Sequence, residues 1–325
     1  MNGENRTNMS DKKKPLIILT GPTAVGKTEL SIKLAKAVNG EIISADSIQI
    51  YKYMNIGSAK VTMEEMDGVQ HYLIDVLDPT DEFNIYVFKK LAAEAMEEIY
   101  AKGKIPIIAG GTGFYIQSVL YDIEFSNEEG DKSYRRSLEE RAAKEGVSVI
   151  HKMLQAIDPK AAAEIHENNL KRVIRALEYY HETGKMISEH NEEQRQKTSP
   201  YNFRYYVLNM DRDKLYERIN LRVDIMLKNG LIDEVQNLKN MGYSNELVSM
   251  QGIGYKEIRE YIDGKCKYEE AVEKLKKNTR NFAKRQLTWF RRESDVQWLN
   301  HEEFNYDKDK ILERMLVDLK EIDII

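Results

Sequence analysis

The chain has 325 residues, 42% of them hydrophobic and 32% charged, which fits a globular protein of one large or two moderate domains and excludes a low-complexity or fibrous chain. Its 49 Lys and Arg against 54 Asp and Glu leave a net charge of −5, so nucleic-acid binding cannot rest on overall basicity and would need a local basic face. The single cysteine, Cys266, excludes an internal disulfide or a cysteine-based zinc site and fits a reducing, cytoplasmic setting.

The segment Met1 to Lys14 is polar, lacks a signal-peptide pattern and reads as a disordered tail (1–14), with Met9 an alternative start. The stretch LIILTGPTAVGKTEL (16–30) follows, an apolar strand, a glycine loop and the start of a helical pattern. It holds the full phosphate-loop motif: Gly21, then Pro22, Thr23, Ala24 and Val25, then Gly26, Lys27 and Thr28. Glycines let such a loop curl so that its N–H groups point inward, and the helix beginning near Gly26 adds its own. Lys27 supplies a point charge for the more distal phosphate, and the Thr28 hydroxyl completes the coordination of a Mg²⁺ bridging two phosphates. The motif leaves open which phosphorylated molecule binds and which group moves.

Further on, Glu41 to Ala45 and Tyr72 to Leu77 read as strands and Asn84 to Tyr100 as a helix ended by Gly103. Ile105 to Ala109 reads as a strand running into Gly110, Gly111, Thr112 and Gly113, with a helix from Phe114. Strands alternating with helices predict a parallel sheet in an α/β, P-loop NTPase-like core. Between 121 and 199 the pattern becomes all-helical, clearest in 135–146 and in a continuous run 159–184 that ends at Gly184. Tyr205 to Met210 reads as a strand that rejoins the sheet, and helices are expected from Asp213 to the end. The domains are therefore 15–120 with 200–325, and a helical insertion, 121–199.

Several side chains suggest chemistry. Asp46, Ser47, Ile48 and Gln49 follow a strand that adjoins the phosphate loop, at the edge where open α/β sheets hold ligands. Asp46 is a candidate general base, magnesium ligand or helix N-cap, and spacing alone leaves these open. Gln49 carries the donor and acceptor that an adenine edge requires. Arg218 and Arg222, four apart, share one helix face and repel unless an anion lies between them, though spacing does not say which would meet a diphosphate. His71, in an apolar stretch, reads as a core histidine. From Lys276 to Arg292 seven cations occur without an acid, interleaved with Phe282, Trp289 and Phe290. The apolar side is expected in the core, with Lys284, Arg285, Arg291 and Arg292 outward.

The segments GPTAVGKTEL, SADSIQIYKYMNIGSAK, QHYLID, AGGTGFYI, NNLKRVIRALE, SMQGIGYKE and TRNFAKRQLTWFR resemble, in this order, the bacterial tRNA dimethylallyltransferases, from residue 15 to about 300. The resemblance implies transfer of a dimethylallyl group from dimethylallyl diphosphate to N6 of the adenosine 3′ of the anticodon (position 37), in tRNAs reading codons that begin with U. It implies Asp46 as the base that accepts the amine proton, and Thr23, Thr112 and Arg222 or Arg218 near the diphosphate or the adenine. It assigns Asp46, Ser47, Ile48, Gln49, Thr112, Lys171, Arg172, Arg175, Gln251, Gly252, Lys256, Lys284, Arg285 and, more weakly, Arg135 to binding the tRNA anticodon stem-loop. A cytoplasmic monomer using Mg²⁺ is expected. Ser58 and Val61 depart from the family's usual Thr and Pro (GTAKP), which keeps the hydroxyl but loosens the turn. The lone cysteine matches bacterial-type members rather than eukaryotic relatives with a zinc-finger tail. Alternatives are a small-molecule kinase using ATP at the same loop, a relative prenylating free AMP, and a non-catalytic RNA-binding module with a vestigial loop.

Overall fold

The computed structural model describes residues 13–124 and 132–325. The expected tail lies outside them up to residue 12, whereas Lys14 is described and pairs with Glu97 at 2.8 Å. The first compact unit comprises the described parts of Met1–Val119 together with Pro200–Ile325, and the second is Leu120–Ser199.

In the first unit, β1 (Pro15–Thr20) leads through the phosphate loop to α1 (Lys27–Ala37) and β2 (Gly40–Ala45). A short α2 (Met63–Met66), β3 (His71–Tyr72), α3 (Ile85–Ala101), β4 (Ile105–Gly110) and α4 (Gly113–Leu120) follow. The Asn84 side chain caps α3 by accepting from Val87 N–H at 3.0 Å. Phe88, Ala92, Ala95, Met96 and Ile99 form the buried stripe of that helix. After the second unit come β5 (Asn202–Asn209), α10 (Arg212–Lys228), α11 (Leu231–Asn240), α12 (Tyr255–Ile262), α13 (Tyr268–Phe290), β6 (Val296–Asn300) and α14 (Lys308–Glu321).

The six strands form one sheet in the order β3-β2-β4-β1-β5-β6, every neighbouring pair parallel. Leu16, Ile17, Ile18 and Leu19 of β1 are all 0% exposed. Alternate strand residues point to opposite faces, so both faces of the sheet are covered at its centre. At the carboxyl edge the Thr20 hydroxyl donates to the Gly110 carbonyl at 2.6 Å, joining the ends of β1 and β4. Gly21, the next residue, has φ 143°, and a Cβ there would lie 2.4 Å from the Leu208 carbonyl oxygen. Only glycine lets the loop leave the sheet so close to β5.

Two expected elements differ. The run Tyr72 to Leu77 forms only the two-residue β3, because Leu73 and Asp75 adopt left-handed φ values of 62° and 55° that break the ladder; Leu77 makes a single bridge to Tyr51. The C-terminal region is not helical throughout, because β6 adds to the sheet beside β5 in the register Val207↔Trp298. No described helix is long and apolar enough to cross a membrane.

The second unit contains α5 (Lys132–Glu145), α6 (Val147–Ile157), α7 (Pro159–Glu164), α8 (Leu170–Thr183) and α9 (Ile187–Arg195) around a core that includes Leu138, Ile150, Leu154, Val173, Ile174 and Leu177. The helix expected over 159–184 is two helices, broken where Ile165 is extended (φ −104°, ψ 111°). His151 donates from Nε2 toward the carbonyls of Ala162 and Ile165 at 3.1 and 2.9 Å, supplying a donor that the broken ladder lacks. Gly184 ends α8 in the left-handed conformation (φ 69°), as its position in the sequence predicts. Arg135 grips the buried Glu178 with two parallel bonds of 2.7 and 2.6 Å, so two of its donors serve the unit's own packing. On α8, Lys171 and Arg172 are exposed and Arg175 is half-buried.

Candidate active site

Three loops leave the carboxyl ends of β1, β2 and β4: the phosphate loop, the turn from Asp46 to Gln49, and Gly110 to Gly113. With one face of α10 they border a cleft of about 980 Å³. Its lining includes Thr23, Ala24, Gly26, Lys27, Thr28, Asp46, Gln49, Gly110, Gly111, Arg218 and Arg222. Ile32, Ile56, Ile74, Ile225, Met226 and Phe282 add an apolar part. Gly21, Pro22 and Val25 form the base of the loop, while Ser47, Ile48 and Thr112 lie outside the lining.

The loop is built to receive an anion. Gly26 begins α1 in a left-handed conformation with no side-chain cap, so the first N–H groups of the helix are left for a ligand. Ala24 is also left-handed (φ 65°), a backbone cost of about 1 kcal/mol that clusters at functional loops. Lys27 donates to the carbonyls of Gly21 and Pro22 at 2.9 and 2.8 Å, folded back on its own loop. Burial, and then the Arg222 guanidinium, push the Lys27 ammonium down to about 7 against the opposing pull of Asp46. A bound diphosphate reverses the balance by favouring the charged amine. Binding of a diphosphate at pH 8.5 should therefore take up about one proton, since above pH 7 the free protein holds less than the complex. Calorimetry in buffers of different ionisation enthalpy measures this; the same uptake in Lys27→Met would contradict it.

The arginine pair is separated by its partners. Arg218 donates from Nε to the Ala24 carbonyl at 2.9 Å and so braces the strained loop residue. Among the described residues Arg222 has no hydrogen-bond or ion-pair partner, although it lines the cleft. Burial and neighbouring Arg218 push it below its ordinary value, against the pull of Asp46 and Glu65.

Asp46 Oδ1 accepts from the backbone N–H of Ile48 and Gln49 at 2.8 and 3.2 Å. This is the capping geometry the sequence allowed, but no helix follows; it closes a turn and holds the carboxylate in one orientation at the cleft. The Gln49 amide lines the cleft and also bonds within the protein: Oε1 accepts from the Ser44 hydroxyl at 3.2 Å, and Nε2 donates to the carbonyls of Ser58 and Ala59, each at 3.3 Å. The Ser58 hydroxyl donates to Met54 O at 2.7 Å, closing the turn where the sequence departs from the family pattern. His71 differs from the core reading: it is half-buried and lines the cleft, with Nδ1 meeting Val69 O at 2.9 Å and burial pushing the imidazole down.

The basic segment follows expectation in outline. On α13, Ala283, Gln286 and Phe290 are buried, Phe282 and Trp289 half-buried, and Lys284 and Arg285 exposed; Arg291 and Arg292 follow, also exposed. Two of its cations are instead paired at the surface with acids, Lys276 with Asp224 at 2.6 Å and Arg280 with Glu273 at 3.2 Å. Gly252 approaches the Asp46 turn so closely that a Cβ there would lie 3.0 Å from Ile48 Cδ1, with Gln251 and Lys256 beside it.

Sequence reading missed two residues. Glu234, on α11, accepts from three successive N–H groups, Asn55 (2.9 Å), Ile56 (2.7 Å) and Gly57 (3.0 Å), and from the Tyr255 hydroxyl at 2.9 Å. Its backbone partners are some 180 residues away and leave no local signal. Glu234→Ala strands those donors and should lower stability by about 2 kcal/mol, read as a drop in urea midpoint; an unchanged midpoint would contradict the clamp. The second is Gln286, whose signal was a polar residue at an inward position of an amphipathic helix.

The "IPP transferase" family model matches residues 49–293. The chain is 59% identical over 312 residues to the tRNA dimethylallyltransferase of Lachnoclostridium phytofermentans, covering 96% of this chain and 99% of that one. It is 52% identical over 300 residues to that of Acetivibrio thermocellus (92% and 96%). Among solved structures, the full-length tRNA isopentenylpyrophosphate transferase from Bacillus halodurans superposes with a TM-score of 0.71 at 45% identity, over 96% of this chain and 98% of that one. A eukaryotic dimethylallyltransferase acting on tRNA gives 0.77 at 32% identity, over 88% and 74%. A chain matched over most of its length by the family model, and nearly end to end by these relatives, belongs to the IPP transferase family of tRNA dimethylallyltransferases.

Proposed function

We infer that this protein transfers the dimethylallyl group of dimethylallyl diphosphate to N6 of adenosine 37 in tRNAs reading codons that begin with U, releasing diphosphate. The observation that carries the reading is one cleft, in a member of this family, holding a phosphate loop, an arginine without an internal partner and an oriented carboxylate. The loop N–H groups, Lys27 and Arg222 bind the diphosphate and stabilise the charge that develops on it as the allylic C–O bond breaks. The apolar lining receives the five-carbon chain. N6 is a weak nucleophile, because its lone pair is delocalised into the ring. As N6 bonds to the allylic carbon, Asp46 takes the N6 proton and the C–O electron pair leaves with the diphosphate. Thr23, in the loop, and Thr112, in the second turn, are assigned to positioning the diphosphate and the base.

Among the described residues no group of three or more His, Cys, Asp or Glu could hold a metal ion. The donor chemistry here, one cleft-lining hydroxyl at Thr28 beside a phosphate site, suits a Mg²⁺ that takes most of its oxygens from the diphosphate and water. Bound there, Mg²⁺ would neutralise charge on the leaving group.

The tRNA anticodon stem-loop is assigned to the Asp46–Gln49 turn, Gln251, Gly252 and Lys256, Lys284 and Arg285, and, in the second unit, Lys171, Arg172 and Arg175. Gln49 also holds the 58–59 turn, and Arg135, a weaker candidate for the same role, also packs against Glu178. Lys284→Ala or Arg285→Ala should each reduce the slope of log affinity against log salt by about 1, in filter binding of tRNA; an unchanged slope would contradict the phosphate contact. Unmodified tRNA incubated with the protein, dimethylallyl diphosphate and Mg²⁺, then digested to nucleosides, should yield N6-dimethylallyladenosine. Unmodified adenosine, with ATP converted to ADP in a parallel sample, would contradict the reading.

A further inference from the structure

The Gln286 side chain is 6% exposed and lies between the two glycine turns of the cleft. Its Oε1 accepts from the Thr23 N–H at 2.9 Å, inside the phosphate loop, and its Nε2 donates to the Gly111 carbonyl at 2.9 Å. The turn is shaped for this approach. A Cβ at Gly111 would lie 2.0 Å from Gln286 Nε2, and one at Gly113 would lie 2.2 Å from Trp289 Cδ1, one helical turn further along α13. A primary amide is the side chain that can accept from one backbone and donate to another in that space.

The face of the same helix opposite Gln286 carries exposed Lys277 and Lys284, with exposed Arg285 on its flank. Gln286 faces the sheet's carboxyl edge, and Lys277 and Lys284 lie on the opposite side of the helix, as a 3.6-residue period requires, while exposed Arg285 lies on the flank, one turn before half-buried Trp289. Contact with RNA phosphates would therefore fix a rigid element whose inner side holds the diphosphate loop directly.

We propose that Gln286 is a positioning residue through which tRNA seated on α13 and diphosphate in the phosphate loop strengthen each other's binding. The proposal rests on the tRNA reading above. Whichever ligand binds first orders the helix and the loop as one piece, and the second ligand finds its half of that ordering already done. Linkage requires the effect to be the same in either direction. Gln286 neither touches the reacting atoms nor exchanges a proton.

The test is a binding cycle. The affinity for dimethylallyl thiodiphosphate, an unreactive analogue, is measured with and without a saturating anticodon stem-loop RNA in the full-length protein, Gln286→Met and Gln286→Glu. In the wild type the RNA should tighten analogue binding about tenfold. In Gln286→Met, which loses both bonds, the gain should fall below about twofold while the RNA affinity measured alone is retained. Gln286→Glu keeps the acceptor for Thr23 N–H but loses the donor to Gly111, and should show the same loss of coupling. It also serves if the methionine variant does not fold. A full gain in both folded variants would overturn the proposal, as would a wild type whose two affinities are independent. A wild type that does not bind the stem-loop at all would instead overturn the tRNA reading, so the two failures are distinct.

Discussion

Replacing Asp46 with Asn should slow prenyl transfer by about 10³-fold, with affinities for dimethylallyl diphosphate and tRNA retained. The substitution separates the two jobs of this side chain. An amide oxygen can still accept from the N–H groups of Ile48 and Gln49, so the turn survives. It cannot take a proton from N6. Removing the negative charge also lifts the carboxylate's repulsion of a diphosphate bound in the same cleft, which offsets the loss of the pull that favours the charged form of Lys27. Affinity for the diphosphate should thus be equal or tighter, while single-turnover rates collapse. A variant that reacts within tenfold of wild type would return Asp46 to a structural role; one that loses diphosphate binding would mean that the turn, not the base, had been damaged.

Arg222→Ala should cost about 10²- to 10³-fold in kcat, the scale of losing one preorganised donor to a developing anion, and Arg218→Ala should act mainly on KM for dimethylallyl diphosphate, by roughly tenfold or less. The two residues are one turn apart on α10 and indistinguishable by spacing. Their partners distinguish them: Arg218 is committed to the Ala24 carbonyl, and Arg222 meets no partner of its own in the cleft. Loss of Arg218 therefore loosens a loop that can reform around its ligand, whereas loss of Arg222 removes charge from the leaving group. Arg222→Lys should recover only part of the rate, since an ammonium lacks the planar fork that grips two phosphate oxygens. Equal and mild effects at both positions would contradict the assignment.

Local chemistry makes much of this site legible in the sequence. The phosphate loop, the Asp46 turn and the second glycine turn each follow a buried strand, and apolar strands flanked by glycine carry their own signal. The parallel α/β plan followed from their alternation with helices. What was not legible depended on distant pairing. β6, five residues long at a sheet edge and with mixed polarity, gains its identity only from β5. The run 72–77 is apolar enough for a strand, but two left-handed residues inside it send the chain back toward Tyr51. In the second unit, the break at Ile165 is stabilised by His151 from another helix, which helical periodicity over 159–184 cannot reveal. Gln49, Arg135 and Gln286 show the same limit for function. Side chains with open hydrogen-bonding capacity in the sequence find protein partners in the fold, and only the partner decides whether a polar group serves the ligand or the scaffold.

The most direct test of the central claim is a comparison of acceptors. Labelled dimethylallyl diphosphate and Mg²⁺ are given to the wild-type protein with equal concentrations of unmodified anticodon stem-loop and free AMP, and the initial rate of label entering each is measured. Label entering the stem-loop at adenosine 37 and not AMP is the predicted result. Label entering AMP in preference to the stem-loop, or neither acceptor, would contradict the account.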